Sequence, residues 1–95
     1  MPRVVVTPAA LDDFDTLAKT HSLPVDTRDR FRRSIAPLER FPQLGAALEG
    51  RWEGFRFVLG PWRWMIVVYV FDEPEDRVAI VTVQDAWTSR APTAS

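Results

Sequence analysis

The sequence predicts an α+β fold, with two N-terminal helices packed on a four-stranded, mainly antiparallel sheet in the order β-α-α-β-β-β. Three observations carry this expectation. A β-branched run, Arg3 to Thr7, opens the chain. Apolar residues then recur three or four positions apart as far as Phe41. From Trp52 onward the apolar period changes to two.

Each element has a local reason. Thr7-Pro8 marks a helix start, because threonine caps free amides and proline fits the first helical position. Leu11, Phe14, Leu17 and Ala18 form the apolar stripe of that helix, which is expected to end near Thr20. Asp12, Asp13 and Asp15 lie off the stripe, near the N-terminus, where negative charge is favoured. After a connector, His21 to Val25, a second helix begins at Asp26 or Thr27 with Phe31, Ile35, Leu38 and Phe41 facing inward. Pro37 falls inside this pattern and predicts a kink or restart. Gly45 and Gly50 bracket a segment expected to bury Leu44 and Leu48. Phe55 to Leu59 reads as a strand, Gly60-Pro61 as a turn, and Trp62 to Phe71 as a long strand with two largely apolar faces. Trp62, Trp64, Ile66, Val68 and Val70 form one face, with Arg63 and Tyr69 on the other. Residues 72–76 make an acidic hairpin loop and Arg77 to Gln84 the last strand. Two helices cover one face of such a sheet, so the second face is expected to stay exposed or to be covered by a partner.

Composition narrows the function. The 95 residues suit one domain, expected over 1–90, with 91–95 a flexible tail. With no cysteine and the single His21, neither a metal site nor a cofactor is expected. The eight-residue apolar run from Trp64 to Phe71 is too short to span a bilayer, and no signal-peptide layout opens the chain, so no membrane partner and a cytoplasmic location are expected. The net charge of -1 confines any nucleic-acid contact to a local patch. Eleven of the twelve basic residues are arginine, the side chain suited to bidentate phosphate contacts. Serine–histidine, phosphate-loop and paired-carboxylate constellations find no support in the residue spacing.

The strand arginines are the candidate chemistry. Arg51, Arg56 and Arg63 fall within thirteen residues whose only acid is Glu53. Paired strands would bring Arg56 and Arg63 to a common surface, with Tyr69 on the face of Arg63. Arginine beside tyrosine and tryptophan can hold phosphate and stack a base. The structural alternative pairs Arg63 with a carboxylate such as Asp85. Four tryptophans in 95 residues are many. Trp62 and Trp64 read most simply as core residues under the helices. Trp52 and Trp87 are harder to bury and are candidates for a partner site.

Three stretches, VVVTPAALDDF, IAPLERFPQLGAALEG and GFRFVLGPWRWMIVVYVFDEPEDRVAIVTVQDA, give the chain a resemblance to the RelE/ParE superfamily of toxins from bacterial type II toxin–antitoxin systems. The resemblance covers residues 3 to about 90 and implies a toxin bound and blocked by a cognate antitoxin. A RelE-like member would cleave mRNA on the ribosome, with Arg56, Arg63 and Tyr69 as catalytic candidates and Arg51 and Arg90 holding RNA. A ParE-like member would instead inhibit DNA gyrase without cleaving a bond, and a third possibility is a non-toxic partner-binding relative. Many members carry an arginine three residues before the strand tyrosine, where this chain has Ile66, and a basic residue after the last strand, where it has Ala86 and Trp87.

Overall fold

The computed structural model of the chain describes residues 1–87, so Arg90 and the expected 91–95 tail lie outside the described residues. The chain opens with β1 (Arg3–Val6) and α1 (Pro8–Thr20). The cap reads as the sequence implies: Thr7 Oγ1 accepts the Ala10 amide at 3.3 Å. The same hydroxyl donates to the Ile80 carbonyl at 2.8 Å, which ties the helix start to the last strand. Asp13 does more than favour a helix N-terminus. Its carboxylate accepts the Thr82 hydroxyl at 2.5 Å and the Val83 amide at 3.3 Å, fastening α1 to the sheet.

Helix α2 (Thr27–Ile35) passes at Ala36–Glu39 into a 3-10 turn, the local tightening that Pro37 predicts. Phe14 of α1 and Phe31 of α2 meet with ring centroids 4.8 Å apart. Phe31, Ile35 and Leu38 are buried as their spacing implies. Phe41 and Leu44 are not: the chain turns away from the core at Pro42, leaving them 60% and 58% exposed.

The sheet has five strands rather than the four expected, in the order β1-β5-β4-β3-β2. The additional strand is β2 (Ala46–Ala47), a two-residue edge with no hydrophobic alternation to announce it. It is followed by β3 (Arg56–Leu59), β4 (Met65–Asp72) and β5 (Arg77–Asp85). β1 runs parallel to β5, and the other neighbours are antiparallel. The two helices lie between β1 and β2 in the chain, so they follow the first strand rather than lead the fold.

The long strand starts at Met65, not Trp62, and this reassigns a face. Trp62 and Trp64 sit in the β3–β4 turn, closed by the Met65 amide on the Trp62 carbonyl at 2.9 Å. They pack against the helix-side core with Met65, Val67 and Tyr69, while Ile66 and Val68 face the other way. The tryptophans are therefore core residues, reached from a turn and not from strand alternation.

The second face of the sheet also departs from expectation. Ile66 and Val68 are buried there under Leu48, Trp52, Phe55 and Phe57 of the chain itself. The segment between β2 and β3 folds back over the sheet, a job the sequence reading left to solvent or a partner. A register shift between Val68 and Tyr69 places Val81 on this face as well.

Thr7 holds two bonds that join distant parts of the chain. Thr7→Ala is expected to lower stability by about 1 kcal/mol, read from the urea midpoint at unchanged slope.

Candidate functional site

Arg56 and Tyr69 are brought together, as cross-strand neighbours in the β3–β4 ladder. Tyr69 is fully buried, and its hydroxyl accepts the Gly45 amide at 2.8 Å. Arg56 Nη1 donates to the Gly45 carbonyl at 2.8 Å and to the Gln43 carbonyl at 3.4 Å. Both side chains therefore hold the segment that leads into β2. Glycine is required at position 45 by close approach: a Cβ there would meet the Phe57 carbonyl and lie 2.8 Å from the Tyr69 hydroxyl. Burial pushes the Tyr69 phenol above its ordinary pKa of 10.0, against the opposing pull of the Gly45 amide and the Arg56 charge.

Arg63 is elsewhere. It is exposed in the turn beyond the far end of the ladder, where Leu59 opposes Ile66. The extended strand from Met65 to Tyr69 alone spans roughly 13 Å, so the two side chains lie toward opposite ends of the ladder. The common surface for Arg56 and Arg63 is thus not formed, because the strand that would carry both faces starts two residues after Arg63. Asp85 does not meet Arg63 either; it pairs with His21 at 3.0 Å.

Arg51 and Trp52 do meet. They line an open cleft of about 660 Å³ with Phe55 and Gln84. The cleft is built by a tight turn: Gly50 and Gly54 have positive φ of 66° and 92°, and the Glu53 amide bonds the Gly50 carbonyl at 3.0 Å. Trp52 and Phe55 meet edge to face at 5.8 Å. A guanidinium beside two aromatic side chains and an amide can hold an anionic group next to a planar or apolar one. Phe55 and Gln84 were not singled out from the sequence, since only the fold-back of the 48–55 segment places them beside Arg51.

Trp87 belongs to a different assembly. It is 75% exposed and lies 6.0 Å from Trp64, which itself stacks on His21 at 4.1 Å. Trp52 packs on the opposite face of the sheet, so the two expected partner-site tryptophans do not share one surface. Among the described residues no group of three or more metal-ligating side chains converges, and no helix is long and apolar enough to cross a membrane.

No protein-family model and no curated protein sequence matches the chain. Solved structures do. The chain is similar to one from the RelBE2 toxin–antitoxin complex of Mycobacterium tuberculosis, with a TM-score of 0.66 and 22% identity over 90% of this chain and 99% of that one. It shares the fold of that chain. A copper-bound mutant toxin from Helicobacter pylori gives a TM-score of 0.66 at 21% identity, covering 90% of this chain and 94% of that one. A conserved hypothetical protein from Helicobacter pylori gives 0.55 at 21% identity with the same coverage. At these identities the likeness is one of fold. Within that fold, this chain commits its strand arginine and tyrosine to the 43–45 segment and presents Arg51 in a separate cleft.

Tyr69 is the only tyrosine, so tyrosinate absorbance reports it alone. Its raised folded-state pKa contributes stability that is intact below pH 10.0 and is lost as pH rises through the folded value. Tyr69→Phe is expected to cost about 1–3 kcal/mol at neutral pH by orphaning a buried amide. It is also expected to abolish the tyrosine share of the alkaline loss, read from denaturation midpoints on either side of the tyrosinate transition.

Proposed function

We propose that the chain is the toxin of a bacterial type II toxin–antitoxin pair, held inactive by a cognate antitoxin. We further propose that it arrests growth by occupying its target rather than by cleaving RNA. The toxin reading is supported by the fold and by the toxin chains that share it. The non-cleaving reading rests on one observation: Arg56 and Tyr69 are hydrogen-bonded to the chain's own backbone, and the phenol is held in its neutral form. A buried hydroxyl already accepting an amide is poorly placed to take a proton from a substrate hydroxyl. DNA gyrase is the target this reading favours, with the Arg51–Trp52 cleft as the contact and the cytoplasm as the location.

A second reading, ribosome-dependent mRNA cleavage, is favoured by the composition of the same cleft. Arg51 beside Trp52 and Phe55 suits a phosphate and a stacked base, and Arg63 and Arg90 would add backbone contacts.

Controlled induction with parallel thymidine and methionine labelling separates the two. Thymidine incorporation is expected to fall first. Protein synthesis stopping first would overturn gyrase as the target, and cut RNA ends would then restore the catalytic roles of Arg56, Arg63 and Tyr69. Arg51→Ala and Trp52→Ala are each expected to weaken target binding by roughly 30-fold, the loss of one interface anchor. Arg63→Ala is expected to leave growth arrest unchanged.

A further inference from the structure

Residues 41–48, Phe-Pro-Gln-Leu-Gly-Ala-Ala-Leu, carry no charge in a chain of which 26% is charged. Buried segments commonly lack charge, but here the two large side chains at the front, Phe41 and Leu44, are more than half exposed. They border an apolar hollow of about 440 Å³ formed with Pro42 and Gln43.

The segment is held by hydrogen bonds at both ends. The Phe41 amide bonds the Pro37 carbonyl at 2.9 Å and the Leu44 amide the Phe41 carbonyl at 3.0 Å. Gly45 is fixed by Tyr69 and Arg56 from below. An exposed apolar patch on a fixed backbone loses little entropy when it is covered. The same segment runs into β2, an edge strand whose Ala46 and Ala47 are both exposed. Neither charge nor proline blunts that edge, although edge strands are commonly protected in this way.

We propose that this patch is the two-fold interface of a homodimer, its occupant being the 41–48 segment of a second copy. Three features favour a second copy. Phe41 and Leu44 project from the segment that borders the hollow, so each copy offers both projecting side chains and an apolar recess to an isologous contact. A two-fold axis brings identical charges together, and a neutral patch avoids the repulsion. The charges that flank it, Arg40 and Glu49, have opposite signs and can pair across the axis. The patch is smaller than a standard interface, so association is weak and concentration-dependent.

Sedimentation of the purified full chain tests this over about 1 to 500 µM, the range in which small interfaces associate. The wild type is expected to move from the monomer mass toward twice that value. Leu44→Lys, at an exposed position, is expected to fold normally and raise the dimer dissociation constant at least about tenfold. Leu59→Lys, exposed at the other end of β3, is expected to leave the dimer intact. Wild type that stays monomeric throughout, or a dimer unaffected by Leu44→Lys, overturns the proposal. A monomer whose neutralisation by antitoxin is lost on Leu44→Lys also overturns it, and assigns the patch to a different protein.

Discussion

The hydrogen bond from the Gly45 amide to the Tyr69 hydroxyl, with Arg56 on the neighbouring carbonyls, fixes where the chain goes after its helices. Upstream, the 3-10 turn delivers the chain to the rim of the sheet with no helix left to hold it. Downstream, β2 has only two residues and one paired edge, too little to set its own position. The tyrosine hydroxyl and the guanidinium supply the missing constraint. Once Gly45 is seated, β2 joins β3 in register and Leu48 lands on Ile66 and Val68.

The consequence reaches the other side of the sheet. A four-stranded layer with helices on one face would leave Ile66 and Val68 in water. The 48–55 segment covers them, and in doing so it swings Arg51, Trp52 and Phe55 beside Gln84 of β5. The cleft is thus a by-product of closing the second hydrophobic cluster. One tyrosine on β4 links the helix-side core, the edge strand and, through it, the surface that carries the functional proposal.

The α+β fold, both helices, the Thr7 cap and four of the five strands were legible because period, cap chemistry and proline placement agreed there. β2 was not, because two alanines have no alternation to read. Trp62 and Trp64 pack on the helix-side core as expected, but not on one face with Ile66 and Val68: a turn can mimic strand spacing over three residues, and β4 starts only at Met65. Within the site, Arg56 and Tyr69 were each legible as candidates, but the cross-strand partner expected for Arg56 was Arg63 and the one found is Tyr69. Their task was not legible, since it depends on Gly45, which is 24 residues from Tyr69. Arg51 and Trp52 were each singled out for separate roles, and only the fold-back makes them one site. His21 and Asp85, 64 residues apart, show the same limit: composition marks a lone histidine, but not the carboxylate it will meet.

Taken together, Arg56 and Tyr69 hold the 43–45 segment, and Arg51, Trp52, Phe55 and Gln84 line an open cleft on the other face of the sheet. The most direct measurement is RNA integrity in a reconstituted translation reaction containing the purified protein in substoichiometric amount. Occupancy of a target predicts full-length message at every time point. Message cut progressively by less than one protein per ribosome would require turnover, and would contradict the assignment of Arg56 and Tyr69 to structure alone.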